Sequence, residues 1–411
     1  MLLDRGRARR TRAYRALSSE EKVQLAIERF SYGNVQSFPT PIRDLAQKHA
    51  RAPSVISRAI VSAFKEGLVE VQATGSAFVQ PTRVEHLEQR LTQEFRHLHK
   101  AIVVSSKDVT DSVGSPTYLQ YADDVHAMLG RSMAQLLSNS QIIRDKDVIG
   151  IGSGRGVYHA IEALLWLPRI RASEVTLGSL TGLGSSEHCA KRKNVRLEAD
   201  LHVGLLGPCF SETVTMQFMN QAIINPKPIT REGWFNTWIG NDRGQLPNVA
   251  LIGAGTLTWG NQFFEQATAS THTRHPTFDP IRAQLRMLVS LSNAFTSDRY
   301  CPIGHIADRL FFVPPWSGVA MSTEAKYELE RLVAIINHHV CTITDSKLKE
   351  IGTIMLVAGS SIEAPVIHAV LSNPEYRVRY LSTDECAARR ILAGPTSSKR
   401  RAAALFKTTT A

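Results

Sequence analysis

Five short apolar runs, spread over most of the chain, constrain its fold more than any other feature. They are Ala101–Val104 (AIVV), Asp147–Gly152 (DVIGIG), Val175–Leu180, Asn248–Gly253 (NVALIG) and Thr353–Ala358 (TIMLVA). Each is apolar almost without a break, where a half-exposed strand would alternate. That pattern belongs to strands covered on both faces. Helical spacings fall between them, over Tyr118–Leu137 and Val157–Leu165. Strands alternating with helices build βαβ units, so residues 100–395 are expected to form an α/β domain with a mostly parallel sheet flanked by helices. No internal repeat is visible, and residues 256–300 follow no clear pattern.

A chain of 411 residues leaves room for a second domain ahead of this one. Ser18-Ser19-Glu20-Glu21 sets a capping hydroxyl before acidic first-turn residues, and Val23, Ile27 and Phe30 follow at helical spacing. Gly33-Asn34 stops that helix and Phe38-Pro39-Thr40-Pro41 makes a rigid connector. Ile42–Ala50 reads as a short second helix, with Ile42, Leu45 and Ala46 on one face. Arg51-Ala52 is a turn. Pro53 opens a third helix over Ser54–Glu66, ended by Gly67, and Leu68–Val71 alternates like a strand. Helix, short helix, turn, helix and strand predict a winged helix-turn-helix over residues 17–80. On the third helix Val55, Ile56, Ala59, Ile60 and Phe64 supply a core. Pro53, Ser54, Ser57, Arg58 and Lys65, with Arg43 of the second helix, are the candidate DNA contacts. Hydroxyls reach bases or phosphates, and arginine binds guanine bidentately. A plain three-helix bundle with a polar surface is the competing reading.

Residues 81–99 carry a narrow stripe, Val84, Leu87, Leu91 and Phe95, which reads as a linker helix or a dimer seam. Formal charge is +11, a balance that favours polyanionic partners. Arg5, Arg7, Arg9, Arg10, Arg12 and Arg15 crowd a flexible tail at 1–16, and Lys399, Arg400, Arg401 and Lys407 a second at 396–411. The first either tracks DNA phosphates or is simply solvated. Cys189, Cys209, Cys301, Cys341 and Cys386 are far apart and form no CxxC pair, which argues against disulfides and structural zinc and suits a reducing cytoplasm. No run approaches the length of a membrane span, and no apolar segment follows the basic start as a secretory signal requires.

The sharpest local feature is Gly150-Ile151-Gly152-Ser153-Gly154-Arg155-Gly156, between a strand and a helix. Free N–H groups at a helix start attract anions, so the loop is a candidate for a phosphate or carboxylate, or else a tight βα turn. No Lys-Ser/Thr follows as in a Walker A loop. Small-residue loops recur at other strand ends: Thr181-Gly182-Leu183-Gly184, Gly253-Ala254-Gly255, Ala358-Gly359-Ser360-Ser361 and Ser382-Thr383-Asp384. In open α/β sheets ligands bind at the carboxyl ends of strands, so these loops suggest one crevice. No HExxH, GxSxG or zinc spacing is present, and no cofactor or metal is expected. His338-His339 and His188-Cys189 carry no catalytic signature.

The ordered set of segments resembles the SorC family of bacterial transcriptional regulators. Val23–Phe30, Ile42–Ala46, Val55–Arg58 and Lys65–Val69 are similar to that family's reader domain. Leu87-Glu88, Leu91, Phe95 and Ala101–Val104 resemble its entry into the effector domain. Asp147–Gly154, Val249–Gly255, Ile354–Gly359 and Ser382–Asp384 with Ala387 and Leu392 follow in the same order. The resemblance implies a sugar-phosphate-responsive repressor or activator, usually tetrameric, whose effector domain is sugar-isomerase-like but does not catalyse. Three departures stand out. Glu363 falls where a phosphate-binding lysine is expected, Gly304-His305 replaces a Gly-Asp pair, and Gly156 or Val157 replaces a threonine. The effector is therefore expected to differ from a phosphosugar, unless Arg155 replaces the missing cation.

The expectation is a cytoplasmic regulator that binds a double-stranded DNA operator as a homodimer or homotetramer. Its effector would sit among Gly152, Ser153, Gly154, Arg155, Gly156, Gly182, Gly255, Gly359, Ser360, Glu363, Thr383 and Asp384. The alternative is a sugar-phosphate isomerase or deaminase with an accessory N-terminal domain, for which Asp308, Glu363 and Asp384 are the acids near the loops.

Overall fold

The computed structural model describes residues 17–30, 42–65, 81–106, 116–139, 142–182, 199–219, 224, 246–258, 279–297, 300–316 and 320–395. They belong to two compact units divided between Val79 and Gln80.

The first unit contains α1 (Ser19–Phe30), α2 (Ile42–Lys48) and α3 (Pro53–Lys65). Helix α1 starts with a reciprocal capping box. Glu21 N–H donates to Ser18 Oγ at 3.2 Å, and Ser18 N–H donates to Glu21 Oε2 at 2.7 Å. Leu25, Leu45, Ala46, Ile56, Ala59 and Ile60 form the core, with Leu17 packed against it. The α2–α3 turn comes slightly earlier than Arg51-Ala52, because Ala50 takes a left-handed conformation at φ 48° and Arg51 N–H donates back to Ala46 O at 3.0 Å. The stop at Gly33-Asn34, the strand at Leu68–Val71 and both basic tails lie outside the described residues.

The second unit is a parallel sheet with an antiparallel hairpin attached. Its strands are β1 (Lys100–Val104), β2 (Val148–Ile151), β3 (Thr176–Ser179), β4 (Thr215–Gln217), β5 (Val249–Thr256), β6 (Ile303–Ile306), β7 (Arg309–Phe312), β8 (Thr353–Val357) and β9 (Val378–Asp384). Seven run parallel in the order β1-β9-β8-β5-β2-β3-β4. From β2 the chain winds towards β3 and β4. From β5 it winds the other way, through β8 to β9. The winding therefore reverses between β2 and β5, and a crevice opens there at the carboxyl ends of the strands.

The helices are α4 (Glu85–Glu94), α5 (Pro116–Asn139), α6 (Arg155–Leu164), α7 (Ala199–Leu206), α8 (Asp279–Asn293), α9 (Thr323–Asn337), α10 (Asp345–Glu350), α11 (Ala364–Ser372) and α12 (Glu385–Ala393). Helices α5, α6 and α7 pack together on one face and α4, α11 and α12 on the other, as crossovers of one hand require when the winding reverses. The last residues of β5 turn away from the parallel sheet and pair with β6. Helices α8 and α9 cover the β6–β7 hairpin through a separate core that includes Leu285, Leu288, Leu332, Ile336, Ile303 and Leu310. Part of the stretch that carries no clear sequence pattern is thus a regular helix.

The stripe that reads as a linker or dimer seam lies inside this unit. Leu87 and Leu91 are fully buried with Phe95 in the sheet's core. Buried Glu88 accepts from Val103 N–H at 2.9 Å on edge strand β1 and pairs with Arg83, so α4 closes an open sheet edge. No helix among the described residues is long and apolar enough to cross a membrane.

Helices α5 and α6 touch at Gly130, where a methyl group would lie 2.5 Å from Ala160 N and 2.6 Å from the carbonyl carbon of His159. Glycine to alanine within a helix normally gains about 1 kcal/mol. Gly130→Ala should instead destabilise the unit by about 1–3 kcal/mol, because backbone opposes backbone and the helices must part. Denaturant unfolding checks this, and a more stable variant would show that the crossing is looser.

Candidate functional site

The loop after β2 reaches the crevice first. Gly152 N–H donates to Leu251 O at 2.9 Å, which holds the loop to β5. The Gly152 carbonyl is met by His202 Nδ1 of α7 at 2.9 Å, so that nitrogen carries the proton. Gly154, at φ 113°, precedes α6, and Arg155 and Gly156 are its first two residues. Ser153 is buried, and its hydroxyl donates to Asp308.

Asp308 arrives on the tip of the β6–β7 hairpin. Ala307 and Asp308 both have positive φ, 46° and 60°, the pattern of a two-residue turn of mirror type. Alanine is an unusual residue there and costs about 1–2 kcal/mol. Ala307 N–H donates to Gly253 O at 3.2 Å, and Thr342 Oγ1 donates to Ala307 O, so both sides of the turn are held. His305 lies on β6 opposite Gly255, and its Nδ1 is 3.6 Å from Asp308 Oδ1. A methyl on Gly255 would lie 2.8 Å from His305 Nε2 and 3.5 Å from Glu363 Oε1, which places both side chains at the end of β5.

The ends of β8 and β9 complete the site. Asp384 is fully buried and caps α12: its Oδ1 accepts from Cys386 N–H at 2.9 Å, Ala387 N–H at 3.2 Å and Ser106 Oγ at 2.9 Å. Its Oδ2 accepts from Ser360 N–H. Ser360 has φ 110°, a region that costs a non-glycine residue about 1–3 kcal/mol. Glu363 Oε2 accepts from Gly359 N–H at 3.1 Å and is 4.0 Å from His126 Nε2.

Burial dominates the electrostatics. It pushes the Glu363 carboxyl up to about 8; Asp384 nearby adds to the rise, and the Gly359 N–H and Arg155 oppose it. Burial also raises Asp384, against four hydrogen bonds that favour its charge. It lowers His305, with Asp308 pulling the other way, so the imidazole is held neutral. At neutral pH Glu363 is thus mainly a protonated carboxyl, able to donate as well as accept. The expected phosphate repulsion from Glu363 is correspondingly smaller at neutral pH than for an ionised carboxylate.

Among the residues singled out from sequence, Ser153 and Gly152–Gly156, Gly255, Gly359 with Ser360 and Glu363, and Thr383 with Asp384 meet at this end of the sheet. Thr383 and Asp384 are the last residues of β9 itself rather than of a loop. Gly182 follows β3, and its N–H donates to Cys341 O at 2.7 Å, beside the Thr342 that holds the Ala307-Asp308 turn. Sequence reasoning passed over Ser106, His126 and His202, and placed His305 and Asp308 without their partners. Ser105-Ser106 follows the AIVV run as another small-residue strand end, so that signal was present.

In the first unit, Ile56, Ala59 and Ile60 of α3 face the core, while Arg58 is exposed and Ser57 half-buried. Pro53, Ser54 and Lys65 lie on α3 and Arg43 on α2, but their side chains are outside the described residues.

No protein-family model and no curated protein matches the chain. Solved structures do. A structure described as a sugar-binding domain of a transcriptional repressor from Vibrio fischeri aligns over 75% of this chain and 98% of its own, at TM-score 0.50 and 15% identity. The full-length sorbitol operon regulator SorC from Klebsiella pneumoniae aligns over 91% and 99%, at TM-score 0.48 and 18% identity. A sor operon regulator from Shigella flexneri aligns over 75% and 98%, at TM-score 0.49 and 18% identity. At such identities the likeness is one of fold: an α/β sheet flanked by helices.

Proposed function

We propose that this chain is a DNA-binding transcriptional regulator whose affinity for its operator is set by a small effector bound at the crevice of the α/β unit. The observation that carries the reading is helix α3. It buries Ile56, Ala59 and Ile60 and turns Arg58 outward, as a helix entering a major groove must. The net charge of +11 supports a polyanionic partner. The Vibrio fischeri domain, whose fold is similar, is described as a sugar-binding domain of a repressor, which supports an effector rather than a substrate in the second unit.

The arrangement of the acids favours binding over turnover. An isomerase needs a carboxylate free to take a substrate proton. Asp308 accepts from Ser153, Asp384 accepts four hydrogen bonds and Glu363 accepts from Gly359. Asp384 is committed to the scaffold through all four bonds, and Asp308 and Glu363 are each tied to it by one. The chain would act as a homodimer or homotetramer in the cytoplasm, with effector occupancy changing the spacing of paired readers.

Fluorescence anisotropy with DNA from upstream of the coding sequence tests this. Arg58→Ala should weaken binding about 10- to 100-fold and relax sequence preference, the effect of losing one base contact. Its melting temperature should stay close to the parent's, because Arg58 is exposed. Equal affinity of parent and variant for specific and random DNA would remove the basis for the assignment.

A further inference from the structure

If the crevice is the effector pocket, we propose that it takes an uncharged polyhydroxy ligand, a free sugar or sugar alcohol, and rejects the corresponding phosphate ester. A phosphate in such a fold is held by backbone N–H groups at strand ends and helix starts. Here this chain's own carboxyl groups take several of those donors. Asp384 accepts from Cys386 and Ala387, the start of α12, and from Ser360 at the end of β8. Glu363, the residue before α11, accepts from Gly359. The start of α12 is thus occupied from within, and the Gly359 N–H after β8 is taken by Glu363, so a phosphate would have to displace or face both groups.

What the ends of β8 and β9 and strand β6 still offer is neutral. Ser360 Oγ and Thr383 Oγ1 are buried, with side chains of residues only 7% and 0% exposed, and neither finds a hydrogen-bond partner among the described residues. A buried hydroxyl without a partner is costly, and Ser360 adds backbone strain to that cost. His305 Nδ1 likewise has no hydrogen bond. Hydroxyls and a neutral imidazole, each able to donate or accept, match the alternating donors and acceptors of a polyol. Two cations oppose this reading: Arg155 at the start of α6, and Arg390, which donates to Ser361 O at 2.8 Å. Arg155 lies near enough to Glu363 to favour that carboxyl's charged form, and titration with phosphate esters probes whether it recruits an anion.

The intact protein should be titrated, by calorimetric melting and by anisotropy on its DNA, with inorganic phosphate, with a panel of uncharged aldoses, ketoses and alditols, and with their phosphate esters. The expected result is that an uncharged member raises the melting temperature and changes DNA binding, while its ester and inorganic phosphate do neither. Ser360→Gly should then melt higher than the parent without ligand, since glycine accepts φ 110°, yet bind the active sugar about tenfold more weakly through the lost hydrogen bond. Unchanged sugar affinity in Ser360→Gly would overturn the assignment of that hydroxyl. An ester binding more tightly than its parent sugar overturns the inference and leaves the effector pocket standing. A protein that binds DNA specifically yet responds to neither class overturns both.

Discussion

Asp384→Ala should lower the stability of the α/β unit by about 3–5 kcal/mol, a large share of what a domain has. The carboxylate is fully buried and joins three elements. It caps α12 through Cys386 and Ala387, ties Ser106 after β1 and fixes Ser360 after β8. Alanine removes a helix cap worth about 1 kcal/mol and strands buried donors at about 1–3 kcal/mol each. Some of this is returned, because burying the charge is itself unfavourable and raises its pKa. Asp384→Asn keeps one acceptor oxygen but sets an amide NH2 against backbone N–H groups, so it should fall between parent and alanine. Denaturant unfolding measures both. An alanine variant within about 1 kcal/mol of the parent would mean that the cap does not hold this end of the sheet.

Glu363→Gln should have an effect that depends on pH. The carboxyl sits near 8 in the folded chain, against an ordinary 4.5 when unfolded. Between those values folding takes up a proton, so parent stability falls as pH rises through the window, by up to about 1.4 kcal/mol per pH unit. Below 4.5 both states are protonated and the term is fully present; above 8 it is lost. Glutamine has no such term. The variant should therefore match the parent in acid, gain on it with rising pH and hold a constant lead above 8. Asp384, Arg155 and His126 surround the group and shift the curve without changing its sign. A stability difference that is flat from pH 5 to 9 would mean that Glu363 titrates normally and that its burial carries no penalty.

The parts legible in the sequence are those with a local cause. DVIGIG, NVALIG and TIMLVA became β2, β5 and β8 because unbroken apolar runs have no stable place except a covered sheet. The capping box at Ser18 and the proline at the start of α3 marked helix ends through their own chemistry. The hairpin that delivers Asp308 could not be read. Its strands have four residues each, and its turn is Ala-Asp rather than the Asn-Gly or Asp-Gly that usually announces one. Its geometry is imposed by contacts with Gly253 and Thr342, which are remote in sequence. Glu363 was noticed, but its protonation depends on burial, and no spacing of residues reports that. The stripe on α4 was recognised as apolar without a sign of what it covers, since a helix pattern does not say whether its partner is another chain or its own sheet.

The sheet order has a consequence for synthesis. The strand that pairs with β1 along its whole length is β9, nearly three hundred residues later in the chain. While the ribosome is still making the middle of the protein, β1 has only residues 82–84 and α4 beside it, and its apolar residues must be shielded by α4 or by a chaperone. Ser106 and Ser360 both wait on Asp384, so this end of the site cannot be complete on a nascent chain. A growing polypeptide of this kind would leave the ribosome with its first three helices already able to fold and the far edge of its sheet still to come.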